Sequence, residues 1–277
     1  TSSSNKAPGP DGLSFLIIQR AFKTVPKIFY EIYSALIQHG YHPQCWREGT
    51  GVILKKIEKP DYSKPKAYRM ITLLNCLGKV SEKIIATRLS YLAETTDLLD
   101  SDQLGGRRQR SAVDAALSLT HDIQQANNRG NVMSCLFLDV KGAFDHVSLN
   151  QLLQIMQKLN LPLSVKKWVQ HFLTQRSISL AFDDERQSVI SVSTEIPQGS
   201  SISPILFLIY IRFLFQKIQS SDLQIRSPSY IDDIALIVEG KTAEENCHTL
   251  ERISQIVFQW AADNAVEFDD SKSELIH

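Results

Sequence analysis

Apolar residues recur at three- and four-residue spacing over residues 13–22, 27–39, 78–94 and 112–127, and that period predicts amphipathic helices. Between the second and third of these, "GVILKKI" (51–57) and "YRMITLL" (68–74) are short, rich in β-branched residues and too brief for a helix, so they read as strands. After Gly130 the run "VMSCLFLD" (132–139) predicts a further strand, and the helical period returns around 150–159 and 164–175. Two short strand candidates follow, "SISLAF" and "SVISVS". The turn "IPQGSSISP" then leads into an apolar helix that Ser203 is placed to cap, with Pro204 at its first position. Beyond it "SYIDDIALIVEG" reads as a hairpin with two aspartates at its tip, followed by a helix over 243–263 and two short strands around Val266 and Leu275. Helices interrupting strands that are not consecutive predict an α+β layer.

Composition adds bounds to that pattern. With 277 residues, 43% of them hydrophobic, the chain can bury one sizeable core or two smaller lobes. Its 30 basic and 30 acidic residues cancel, but unevenly along the chain. The first 110 residues hold 17 Lys and Arg against 10 Asp and Glu, and the remainder 13 against 20. A basic part suited to phosphates beside an acidic part suited to cations gives such a split, although uneven solvated surface gives it too. Cys45, Cys76, Cys135 and Cys247 form no CxxC pair, which removes zinc clusters and disulfide frameworks and fits a reducing compartment. The most apolar stretch, "ISPILFLIYIRFLF", carries Pro204 and Arg212 and is too short to span a bilayer. No signal peptide is visible, so the expectation is an intracellular protein, neither secreted nor membrane-bound. Opening without methionine and stopping just past a predicted strand, the sequence reads as a domain of something longer.

The chemistry lies in three carboxylates. Asp139 ends one predicted strand, and Asp232 with Asp233 sits at the tip of the hairpin; in one sheet they would converge at one edge. Such a cluster repels itself unless cations neutralise it, and magnesium, a hard ion that shares its shell with substrate phosphates, suits it. Two such ions about 4 Å apart activate a hydroxyl and stabilise a leaving pyrophosphate. An isolated Asp-Asp pair is more often a polar hairpin turn.

This pair is not isolated. "FLDVKGAFDHV", "IPQGSSISPILF" and "YIDDIAL" stand in the order and approximate spacing of reverse-transcriptase palm motifs A, B and C. Upstream, "KAPGPDGL" (6–13) and "YRMITLLNCLGKVSEKIIATRL" (68–89) resemble the N-terminal and fingers motifs of non-LTR, LINE-like retrotransposons. Five motifs in order span nearly the whole chain. The sequence is therefore similar to the reverse-transcriptase domain of such an element.

That resemblance implies a right-hand polymerase fold with fingers and palm and no thumb: residues 1–130 the N-terminal motif and fingers, residues 131–277 the palm with motifs A to D, and 150–196 a helical and strand insertion. It implies RNA-directed addition of dNTPs to a primer 3′-hydroxyl, with two Mg2+ ions for which Mn2+ substitutes. Asp139 and Asp232 would ligate the metals with the carbonyl of Val140, and Asp233 would complete the acidic cluster. Phe144, five residues past Asp139, would press an aromatic ring on C2′ of the incoming nucleotide and so select deoxyribonucleotides; ordinary core packing is the plainer fate of a phenylalanine. Gln198 and Gly199 would line the nucleotide pocket, and Arg69 with Lys59 would clamp the triphosphate, Lys55 and Lys56 being rivals for Lys59. Lys272 resembles the motif D lysine that protonates the leaving pyrophosphate, though Asp269 and Asp270 beside it depart from that pattern. Arg107, Arg108 and Arg110, just before a helix, suit contact with template phosphates as well as they suit a solvated loop. The implied partners are an RNA template, a DNA primer or target DNA, dNTPs, and endonuclease and thumb domains of a larger polyprotein, acting in the nucleus. A group II intron type of enzyme and a viral RNA polymerase match the motifs less well. From another class, the alternative is an inactive polymerase-like scaffold that binds nucleic acid, against which the three retained aspartates argue.

Overall fold

The computed structural model describes residues 7–58, 60–182, 185–186, 189–192 and 196–277. Helices α1 (Phe15–Thr24), α2 (Pro26–His39), α3 (Cys76–Thr95), α4 (Ala112–Asn128), α5 (Leu149–Lys158), α6 (Leu163–Leu173), α7 (Ser203–Gln219) and α8 (Ala243–Asp263) interrupt the strands. These are β1 (Glu48–Lys55), β2 (Tyr68–Leu74), β3 (Val132–Asp139), β4 (Arg176–Phe182), β5 (Glu185–Arg186), β6 (Ile190–Val192), β7 (Ser229–Tyr230), β8 (Asp233–Gly240) and β9 (Glu274–Ile276). The α+β class expected from the pattern is what forms. The chain divides into two compact units that interleave in sequence, Thr1–Arg88 with Leu153–Ser203, and Leu89–Leu152 with Pro204–His277. Residues 89–130, grouped from the sequence with the N-terminal part, fall instead with β3 and β8.

The first unit is built on a mixed sheet in the order β2-β1-β4-β5, with β6 also paired to β4. The β1–β2 pair is antiparallel and β1–β4 parallel, as a long crossover between β1 and β4 allows. Trp168, Val169 and Phe172 of α6 are fully buried with Leu74 and Ile85, and Trp168 donates its indole N–H to Ser81 Oγ at 3.2 Å. The "PGPDG" turn docks on the start of α3, where Asn75 Oδ1 accepts from Asp11 N–H at 3.4 Å and Asn75 Nδ2 donates to the Cys45 carbonyl at 2.7 Å.

The second unit is an antiparallel sheet in the order β7-β8-β3-β9. Successive strand residues point to opposite faces, and both faces are covered. Leu119 of α4 joins Met133, Cys135, Phe137, Ala235 and Ile237 on one face. On the other, Asn246 of α8 donates to Ser134 Oγ at 2.9 Å. Covering on both sides explains why β8 reads as a continuous apolar run. The first part of helix α7, 205–211, is apolar all round because it is enclosed all round, with Leu206, Leu208, Ile209 and Ile211 fully buried, whereas Gln216 and Lys217 further on are exposed. Among the described residues no helix is long and apolar enough to cross a membrane.

Two local expectations change, and a third is seen in part. Ser203 is the first residue of α7, where its hydroxyl donates to the Pro197 carbonyl at 2.8 Å and ties the preceding turn to the helix. The strand expected around Val266 reduces to one bridge, Val140 with Phe268, since only a single residue lies alongside. The "SVISVS" strand is seen as β6, its outer serines lying outside the described residues.

The segment before α4 braces the hairpin. Ser229 N–H donates to the Asp102 carbonyl at 2.8 Å, and Leu104 and Gly105 N–H both donate to the Ser229 carbonyl, at 2.8 and 3.2 Å. Gly105 lies so close that a Cβ there would stand 2.4 Å from Ile231 N and 2.6 Å from the Tyr230 carbonyl carbon, both backbone. Gly105→Ala is therefore expected to destabilise the fold by about 1–3 kcal/mol. Urea unfolding checks this, and an unchanged midpoint would show that the brace yields freely.

Candidate active site

The register of β3 against β8 puts Asp139, last residue of one strand, directly across from Asp233, first residue of the other. Tyr230 pairs with Asp233, so Ile231 and Asp232 form a two-residue hairpin turn. Such turns require positive φ, and Ile231 adopts it at 62°, an uncommon conformation for a β-branched side chain. The turn is pinned by the Val140 N–H, which donates to the Asp232 carbonyl at 3.1 Å. On the other side of β3, Asp269 N–H donates to the Asp139 carbonyl at 2.9 Å and Lys141 N–H to the Glu267 carbonyl at 2.8 Å; neither bond uses the carbonyl of Val140. Lys272, on a short 3-10 turn, brings Nζ to 2.7 Å from Asp139 Oδ2 and 4.0 Å from Asp269 Oδ2. The three carboxylates expected to converge thus stand at one edge of the sheet, and Lys272 lies beside them.

Burial raises the Asp232 carboxyl above its ordinary range, and the charges of Asp233 and Asp139 raise it further. Asp233 is raised in the same way, by burial and then by Asp139. Lys272 opposes both shifts, and its hydrogen bond to Asp139 strengthens its own hold on the proton. One ammonium among three carboxylates leaves the edge short of positive charge. Among the described residues no three acidic, histidine or cysteine side chains surround a single point as a ready-made metal cage. Magnesium does not require one, because it takes one or two carboxylates and completes its shell with water and substrate phosphate. Hard oxygen donors with uncompensated charge fit such an ion.

Phe144 follows in the turn after β3. Its neighbours Ala143 and Val147 are buried, whereas Phe144 is only half-buried, its ring centroid 5.7 Å from that of Phe207 on α7.

The remaining nucleotide candidates belong to the first unit. Ser200 N–H closes a turn on the Pro197 carbonyl at 3.2 Å, and the Gln198 carbonyl accepts from Thr72 N–H of β2 at 3.1 Å. Gly199 takes φ 104° there, open only to glycine; an added Cβ would meet nothing closer than 3.4 Å, so conformation and not crowding fixes the residue. Arg69 is exposed on β2 opposite Leu54, without a partner among the described residues. Lys59 lies outside the described residues.

Of the three arginines before α4, Arg107 is already engaged within its own unit. Its guanidinium forms a fork on Glu94, at 2.9 and 2.8 Å, and also donates to the carbonyls of Asp100, Gln103 and Ala93. Those bonds leave little for a phosphate. Arg110 donates to the Ser101 carbonyl at 2.9 Å, and Arg108 is exposed. One residue the sequence reading passed over is Glu82 of α3, fully buried, whose Oε2 accepts from Ser200 Oγ at 2.5 Å. The helical period was the available signal, since Glu82 shares the inward face of Ile85, Ala86 and Leu89.

The family model for reverse transcriptase (RNA-dependent DNA polymerase) matches residues 57–277. The chain is 26% identical over 281 residues to an RNA-directed DNA polymerase attributed to transposon X-element of Drosophila melanogaster, covering 99% of this chain and 30% of that protein. It is 25% identical over 276 residues to the RNA-directed DNA polymerase from mobile element jockey of the same organism, covering 96% and 29%. The chain thus spans about a third of the length of these relatives. A solved structure of telomerase from Candida albicans, in complex with a fragment of telomeric RNA, superposes with TM-score 0.56 at 16% identity over 89% of this chain and 46% of that one. Apo telomerase from Candida tropicalis gives 0.57 at 11% identity, over 85% and 51%. At such identities these last two speak for the fold alone.

Burial pushes the Glu82 carboxyl up to about 6 from 4.5. A carboxyl raised by folding contributes stability that is fully present below the unfolded value and is lost as pH rises through the folded one. At neutral pH the ionised Glu82 therefore costs about 2 kcal/mol. Glu82→Gln should raise the melting temperature at pH 7.5 and flatten its dependence between pH 4.5 and 6.5. Calorimetry showing a lower melting temperature for the variant at pH 7.5 would reverse the sign of this argument.

Proposed function

This chain belongs to the reverse transcriptase (RNA-dependent DNA polymerase) family, and on that premise we propose that it catalyses RNA-directed addition of dNTPs to the 3′-hydroxyl of a DNA primer as part of a non-LTR retroelement. The observation that carries this reading is the pairing of Asp139 with Asp233 beside Asp232, an acidic edge short of positive charge. The family uses divalent metal ions. We assign Asp139, Asp232, Asp233 and the Val140 carbonyl as the groups that hold two Mg2+ ions, or Mn2+ in their place. Bound there, the metal would supply activation of the primer hydroxyl and neutralisation of charge on the departing pyrophosphate.

The chain's own groups divide the remaining work. Phe144, half-buried, is proposed to lie against C2′ of the incoming nucleotide and exclude a 2′-hydroxyl. Gln198, Gly199, Arg69 and Lys59 are assigned to nucleotide contact, the exposed Arg69 guanidinium suiting bidentate recognition of phosphate. Lys272 is assigned as proton donor to the leaving group. Paired with Asp139 it retains its proton, so donation requires that pair to open. Arg108 and Arg110 are left as candidates for the template backbone, the grip on the RNA–DNA heteroduplex being completed by a thumb and other domains of a larger polyprotein. Fingers correspond in this reading to the first unit and palm to the second, acting inside the cell, in the nucleus.

Asp232→Asn should reduce primer extension on the order of a thousandfold. Because the substitution also removes a repelled charge, the melting temperature should hold or rise. Extension at the parental rate would remove the metal assignment, and extension absent from the parent itself with RNA binding intact would favour the scaffold reading.

Phe144→Val is expected to raise ribonucleotide incorporation strongly relative to deoxyribonucleotide, with dNTP turnover falling only modestly, since steric exclusion acts against the wrong substrate. Single-nucleotide kcat/KM for both sugars decides this. An unchanged ratio in a folded variant would assign Phe144 to packing.

A further inference from the structure

Glu82 is fully buried, its Oε1 has no hydrogen-bond partner among the described residues, and its place on α3 is one where the helical period calls for an apolar side chain. Burial opposes the charge of that carboxylate, while Lys79 and the buried Arg176 favour it. What Glu82 touches is the turn that carries Gln198 and Gly199. Its Oε2 accepts from Ser200 Oγ, and the Ser201 backbone also hydrogen-bonds to the carboxylate. The Ser200 hydroxyl accepts in turn from Ile202 N–H at 3.3 Å. The bonds therefore run from Glu82 through Ser200 into the start of α7.

Two further anchors hold the same turn, Thr72 N–H on the Gln198 carbonyl and Ser203 Oγ on the Pro197 carbonyl. Both grip it before Gly199. After Gly199 the backbone bond from Ser200 N–H to the Pro197 carbonyl closes the turn, and the side-chain grip is Glu82, through Ser200 and Ser201. A glycine imposes no conformation of its own, so residues on either side must set it.

We propose that Glu82 is a positioning residue for nucleotide selection, its carboxylate holding the Gln198–Gly199 turn, through Ser200 and Ser201, in the conformation that receives the incoming dNTP. This rests on the assignment of Gln198 and Gly199 as nucleotide contacts. The charged groups bearing on Glu82 are Lys79, on its own helix, and Arg176 of β4, both of which favour the ionised form against burial. With the carboxyl pushed up to about 6, mild acid removes its charge and weakens the bonds to the turn.

The test compares the intact chain with Glu82→Gln, Ser200→Ala and the double variant, from pH 5.5 to 8, on an RNA template with a DNA primer. Steady-state dNTP kinetics are read alongside dNTP affinity for the complex with a chain-terminated primer, which requires no turnover. At pH 7.5 each single variant should weaken dNTP KM and affinity about tenfold, the loss of one charge-assisted bond. The kcat and template affinity should stay within about twofold of the parent under the same reasoning. The double variant should be no worse than either single one, because both act on one bond. The parent's KM should rise several-fold below pH 6 while that of Glu82→Gln stays flat. Ser200→Ala keeps the carboxylate and so preserves the test if Glu82→Gln folds poorly. Unchanged KM in both single variants, multiplying effects in the double, or a fall in kcat that tracks melting temperature would each overturn the proposal. Gln198→Ala separates the two layers. If it weakens dNTP binding while the Glu82 and Ser200 variants do not, positioning alone fails; if it leaves binding unchanged, the nucleotide assignment of the turn fails first and the inference falls with it.

Discussion

The pairing of β3 with β8 fixes more of this molecule than any other single contact. An antiparallel ladder has a side-chain period of two, so a slip of one residue would send every side chain of β8 to the opposite face and break its packing on both. The register that buries Leu138 with Ile234 and Cys135 with Ile237 is the same register that sets Asp139 across from Asp233. Core packing thus forces two carboxylates together at the strand ends, and the two-residue turn adds a third. The strained φ of Ile231 and the close approach of Gly105 follow from keeping that turn short. A longer loop would relax both and let Asp232 move away.

Proximity of like charge has a sign that can be read in the side chains. Asp232 and Asp233 are both held above the ordinary carboxylate range, whereas Glu94 and Asp114, also acids in the second unit, are held below it. The difference is partnership. Arg107 forks onto Glu94, and Asp114 closes a capping box with Ser111 at the start of α4. Those two acids are explained by the fold they hold together. The hairpin acids are opposed by the fold, with one lysine among three carboxylates, and a fold retains such groups where another purpose maintains them.

Much of the architecture was legible in the sequence because its signals are local. The spacing of apolar residues gave β3 and α8 to the residue, and α4 to within one, since amphipathic period and caps act over a few positions. The acidic edge was legible too, as strand ends and a hairpin tip determine where Asp139, Asp232 and Asp233 stand. What failed depended on distant partners. Arg107 looks like a phosphate contact until Glu94, thirteen residues earlier, and three carbonyls claim its donors. Ser203 has the residue type of a cap, but Pro197 draws its hydroxyl backward. The division of the chain was hidden for the same reason, because the pairing of Ser229 with Asp102 and Leu104 reaches across more than a hundred residues.

Glu82 shows how the legible and the hidden meet. The helical period identified the inward face of α3 and so contained the anomaly of an acid upon it. Only the contact with Ser200, 118 residues later, says what the acid faces. A buried acid that is opposed by its surroundings belongs with Asp232 and Asp233 and apart from Glu94, although it lies in the other unit and on another element. The physical criterion is the same in each case: a charged group whose burial costs stability, and whose bonds lead to backbone that the fold alone would leave free. By that criterion the polar groups among the described residues divide into those that hold the structure, as Arg107 does, and those, such as Asp232, Asp233 and Glu82, whose burial opposes their charge.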